Sequence, residues 1–168
     1  MTANELFAAM SRSLAMKILE DVHTTDRDLY RAGLQAIAQA RKVRPVFMER
    51  QPRAERHQGM VAALARSDLR LIAGNLLSGW LVKNQSALLV DFLDALKIKH
   101  ENGVVEDLPE KVEDADLRNA VNLLLGKHDP ETVALYLHAF YSMNDANWPN
   151  LDAMLHEDDR LVLGGGKA

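Results

Sequence analysis

The chain contains no cysteine. That absence removes a disulfide framework, a thiolate nucleophile, a zinc knuckle and cysteine-ligated iron together. No Gly-x-Ser-x-Gly, His-Glu-x-x-His or phosphate-cradling glycine loop occurs, and the terminal Gly-Gly-Gly-Lys has no helix after it to act as a P-loop. No catalytic residues, cofactor or metal are assigned on these grounds. The longest apolar stretch, Leu71 to Val82, is broken by Asn75 and Ser78. It falls well short of the ~20 residues that cross a bilayer and reads as a core helix, so no membrane is expected among the partners. The first residues lack a basic segment and place Glu5 ahead of Leu6 and Phe7. The pattern of a cleavable signal is therefore missing, and the expected compartment is cytoplasmic.

What the chain does have is core-forming material. Its 168 residues are 48% apolar and 26% charged, with only 5 prolines, a composition that builds a core rather than a disordered segment. One all-helical domain over residues 1–163 is expected, with a flexible tail at 164–168. The net charge of -4 hides an asymmetry: residues 1–82 carry 12 basic and 8 acidic side chains, and residues 83–168 carry 8 and 16. Such a distribution permits head-to-tail self-association, or an anionic partner for the N-terminal half.

Helical periodicity dominates the pattern. Phe7, Met10, Leu14, Ala15, Ile18, Leu19 and Val22 line one stripe of a first helix. Thr25 or Asp26 caps a second, carrying Tyr30, Leu34 and Ile37. Pro45 and Pro52 interrupt the chain, and Pro52 suits the first turn of a helix that runs to about Arg66. Ser67 or Asp68 caps the next, whose Gly74, Ser78 and Gly79 allow a neighbour close approach. Leu89, Phe92, Leu93 and Leu96 form another stripe. From Lys97 to Asp116 the chain reads as a loop, in which Asn102-Gly103 could close a small β-hairpin although the flanking alternation is poor. Leu117, Ala120, Val121 and Leu124 follow, with Gly126 as a left-handed terminator. Asp129-Pro130 then starts a helix carrying Val133, Tyr136, Leu137 and Phe140, and a short helix follows Trp148-Pro149.

The fold class is therefore all-α: stacked antiparallel helical hairpins of about seven or eight helices, as a short solenoid-like array or a compact bundle. Residues 81–96 align with 125–140, matching Phe92 to Tyr136, Leu93 to Leu137 and Leu96 to Phe140. That spacing falls in the range of HEAT and armadillo units. Helix geometry alone imposes the same match on any two amphipathic hairpins.

Two groups of residues stand out as candidate binding elements. Arg41, Arg44, Arg50, Arg53, Arg56 and His57 form an arginine-rich run, part of a 41–70 segment suited to phosphate or carboxylate. Only Phe47 is interleaved for base stacking, so nucleic acid is the weaker candidate. Tyr141 and Trp148 are candidates for a partner-facing patch. Glu20 and His23 have the Glu-x-x-His spacing of carboxylate-bridged di-iron bundles, but the required second copy is missing. Asp91, Asp94, His138 and the Asp152/His156 pair read as solvated polar faces. The functional expectation is a non-enzymatic helical scaffold or adaptor that binds a protein partner or itself. The alternative is a phosphate or nucleic-acid binding domain built on the arginine run.

Overall fold

A computed structural model describes residues 1–164. The chain is all-α, with ten α-helices and no strand among those residues. It forms two compact units, Met1–Trp80 and Leu81–Ala168. Of the expected tail, Gly164 is described and residues 165–168 lie outside the described residues. No helix among the described residues is long and apolar enough to cross a membrane.

In the first unit the expected opening helix is two helices, α1 (Ala3–Ala9) and α2 (Arg12–Thr25). The break is chemical. Ser11 accepts the Leu14 N–H at 3.1 Å on its hydroxyl, so it caps α2 rather than sitting within a longer helix. Asp26 does the same for α3 (Arg27–Ala40), accepting the Leu29 N–H at 3.2 Å. Two prolines then shape the chain: Pro45 opens the five-residue α4 (Pro45–Glu49), and Pro52 is the cap before α5 (Arg53–Leu64). Ser67–Leu69 is a single 3-10 turn leading into α6 (Arg70–Asn84). Leu6, Ile18, Leu19, Ile37, Met60, Leu64, Leu76, Leu77 and Trp80 are fully buried. Close packing of α3 on α6 depends on glycine. A Cβ at Gly79 would run into a δ-methyl of Leu29, and one at Gly33 would lie 3.2 Å from Leu76 Cδ1.

The second unit holds α7 (Ser86–Ala95), α8 (Asp114–Lys127), α9 (Pro130–Met143) and α10 (Pro149–Glu157). Asp129 caps α9 by accepting the Thr132 N–H at 3.0 Å. From Thr132 to Phe140 every residue of α9 is buried. Phe92 of α7 meets Tyr136 and Phe140 edge-on, with ring centroids 5.5 and 5.2 Å away. Gly126 does not terminate α8 as expected. It is helical, the helix ends after Lys127, and among the described residues the positive-φ glycines are Gly103 and Gly164.

Between α7 and α8 the chain is a loop, as expected, and Asn102-Gly103 closes one tight turn in it rather than a hairpin. Glu101 and Val104 exchange two backbone hydrogen bonds, and Asn102 and Gly103 have φ of 52° and 88°. Positive φ at both central residues is what a type I′ turn requires. The turn is tied to α7 through His100, whose Nδ1 accepts the Gly103 N–H at 3.0 Å while Nε2 donates to Asp94 at 2.7 Å.

Candidate functional site

The arginine run divides when the first unit folds. Arg41 donates to the Gly59 carbonyl at 2.6 Å, and Arg53 pairs with Glu20 at 3.1 Å. Arg56 donates through Nε to the Tyr30 hydroxyl at 2.8 Å and through Nη1 to the Glu49 carbonyl at 3.1 Å. Each of the three is already engaged by a protein acceptor.

His57, grouped with them as an anion ligand, is corrected outright, because it is 1% exposed. Its Nε2 lies 2.8 Å from the Tyr30 hydroxyl and its Nδ1 3.7 Å from Glu20 Oε2. The proton positions follow from the donors. Arg56 Nε can only donate, so Tyr30 oxygen accepts it and gives its single proton to His57 Nε2. Nδ1 then keeps the ring proton and faces the carboxylate. Burial pushes His57 down to about 4 against the pull of Glu20, and Arg56, His23 and Arg53 press the same way as burial. His57 is therefore neutral near pH 7. His23 closes the cluster, its ring centroid 4.7 Å from Tyr30 and 5.9 Å from His57. The Glu20 and His23 pair thus serves this network, and no group of three or more metal-ligating side chains occurs among the described residues.

Glu20, Arg53 and His57 also line one cleft, together with Ser13, Met16, Lys17 and Ala54. Ionisable groups in one cleft are what acid-base chemistry would need. Here both imidazole nitrogens are directed at protein groups, and Lys17 pairs with Asp21 at 2.6 Å. The cluster behaves as a satisfied polar core rather than as a set of groups offered to a substrate.

What the first unit leaves outward is a different set. Val43, Val46 and Phe47 lie before and on α4 and are 41%, 40% and 59% exposed. The exposed Lys42, Arg44 and Arg50 flank α4 in sequence, with Glu49 exposed at its end, and the three cations have no ion-pair partner among the described residues. The short helix leaves these side chains uncovered because only Met48 of α4 is buried. Sequence reading noted Phe47 only as an aromatic between arginines. The available signal is adjacency: Val46 and Phe47 stand side by side after a proline, with only Val43 three and four positions away and polar residues at the following positions 49–51.

In the second unit Trp148 is a correction as well. It is buried, donates Nε1–H to the Pro109 carbonyl at 2.8 Å, and lies 5.5 Å from Phe140. Tyr141 is half-buried. His138, read as part of a solvated face, is buried and its Nε2 donates to the Leu161 carbonyl at 2.9 Å. Asp94, by contrast, is exposed. Asp91 bridges Lys127 and His128.

Two grooves open on this unit. One runs between α8 and α10, over Leu117 and Val121, which are buried, and Asp158 on its rim is already bound by Arg160 at 2.7 Å. The other, about 730 Å³, is lined by Val82, Ser86 and residues of the 99–107 segment. Val82 and Val104 are exposed in it, and Glu101, Glu106 and Asp107 lie along it. None of those three carboxylates has an ion-pair partner among the described residues.

No protein family, curated protein or solved structure compared with the chain matches it.

Proposed function

We propose that this chain is a helical interaction module that binds a protein partner through the face of Val43, Val46 and Phe47. The observation that carries the reading is the exposure of Val43, Val46 and Phe47 on and beside one short helix whose flanking cations Lys42, Arg44 and Arg50 have no ion-pair partner among the described residues. An exposed aromatic with an arginine at either end of its helix has the composition of a binding hot spot rather than of an idle surface. It favours a partner segment with apolar side chains and carboxylates, where the guanidinium groups can form two-pronged pairs.

The phosphate or nucleic-acid reading is weaker. Of its six residues, Arg41, Arg53, Arg56 and His57 are engaged inside the unit, which leaves Arg44 and Arg50. Two arginines give little of the counterion release that drives binding to a polyanion.

The test uses a photoreactive residue at position 47 to capture the partner, followed by binding of that purified partner to the wild-type chain, F47D and R44E/R50E. Both variants should bind at least about 30-fold more weakly, as expected for a hot spot. Unchanged binding by F47D rejects the reading. Tight binding of labelled nucleic acid at low salt, lost in R44E/R50E, would favour the alternative.

A further inference from the structure

The outward face of α4 and the groove of the second unit have matching chemistry. One presents Phe47 and Val46 beside Lys42, Arg44 and Arg50, with Glu49 the single carboxylate among them. The other presents Val82 and Val104 in a groove lined by Glu101, Glu106 and Asp107 and by the basic Lys99 and His100, the latter held by Asp94, so that carboxylates outnumber the remaining cation three to one. A groove of this volume is within the range that receives bulky apolar groups. The charge of the whole units runs the same way: Met1–Trp80 carries 12 basic and 8 acidic side chains, Leu81–Ala168 carries 8 and 16. Pairing two α4 faces would set cation against cation, and pairing two grooves would set carboxylate against carboxylate. Face against groove sets the net positive segment against the net negative one.

We infer that a second copy of this chain is the partner of the α4 face, receiving Phe47 in the groove of Val82, Val104, Glu106 and Asp107. The inference rests on the proposed role of that face and names its occupant. The contact is heterologous: each copy that gives its α4 face keeps an open groove, so association continues into a ring or a chain rather than stopping at a symmetric dimer. The groove is chosen over the α8–α10 groove because its valine walls are exposed, whereas Leu117 and Val121 of the other are buried.

Sedimentation velocity of the full chain, over a dilution series at low and high salt, tests this. The wild-type protein should form species larger than a dimer as concentration rises, and salt should weaken them. F47D places a carboxylate against the groove's carboxylates, and V104K places a cation against the cations of α4. Each alone should weaken association at least about 30-fold. An equimolar mixture should restore one discrete dimer, since V104K keeps a working α4 face and F47D a working groove. Melting curves check that both variants fold, and F47S with V104S provides a second pair if either does not. A wild-type chain that stays monomeric at low salt overturns the inference, as does a folded mixture that gives no dimer, or F47D associating as wild type does. A monomeric chain whose captured partner is lost in F47D would overturn self-docking alone and leave the role of the α4 face standing.

Discussion

Tyr30 and His57 share one proton across 2.8 Å in the first unit, and Arg56 fixes which of them gives it. Because Arg56 occupies the hydroxyl oxygen, Tyr30 is the donor and His57 is the Nδ1–H tautomer. Nitrogen NMR of the imidazole should show a protonated Nδ1 and an unprotonated Nε2 at pH 7. The opposite tautomer would refute this proton order.

The same pair links stability to pH. His57 binds its proton at about 4 when folded and near 6.5 when unfolded, so between these values the unfolded chain holds more protons. Its contribution is complete above about pH 6.5 and is lost as pH falls towards 4. The loss should reach about 2 kcal/mol, since one pKa unit corresponds to ~1.4 kcal/mol and nearby solvent reduces the full effect. His23 and His138, also lowered mainly by burial, act in the same direction. Urea unfolding of H57Q across pH 4 to 7 should therefore show a shallower slope than wild type, and parallel slopes would disprove the linkage.

Tyr30→Phe removes the hydroxyl and leaves His57 Nε2 and Arg56 Nε without their partner. A buried acceptor left unmatched costs about 1–3 kcal/mol. Chemical denaturation should detect that loss, while F47D, at an exposed position, should change stability by less than about 0.5 kcal/mol.

Gly103→Ala should be more costly than an ordinary loop substitution. The position has φ of 88°, and an added Cβ would lie 2.7 Å from Leu89 Cβ, an atom that cannot swing aside as a side-chain tip can. Strain and overlap together predict a loss of roughly 2 kcal/mol or more, read from the melting of the second unit. A neutral outcome would mean that the turn does not hold this conformation in solution.

The parts of the fold legible in the sequence are those set by local chemistry. The stripe from Leu14 to Val22, the caps at Asp26 and Asp129, and the buried Tyr136 and Phe140 all follow from spacing within one helix. The site was less legible because its partners are remote in sequence. Arg41, Arg53, Arg56 and His57 look alike as a basic run, and only contacts with Gly59, Glu20 and Tyr30 separate the engaged groups from Arg44 and Arg50. Trp148 was misplaced for the same reason, since its hydrogen-bond acceptor is the carbonyl of Pro109. The split at Ser11 was missed because a hydrophobic stripe can continue in phase across a capping serine.

Helix α9 has nine consecutive buried residues, so that from Thr132 to Phe140 no side chain faces water whatever its position around the helix. Its amide protons can reach solvent only when the packing around them comes apart, which makes them the slow-exchanging reporters of cooperative opening in that unit. Hydrogen exchange along Thr132 to Phe140 should thus converge on a single free energy. The amides of α4, by comparison, should exchange through local fraying that never disturbs the core.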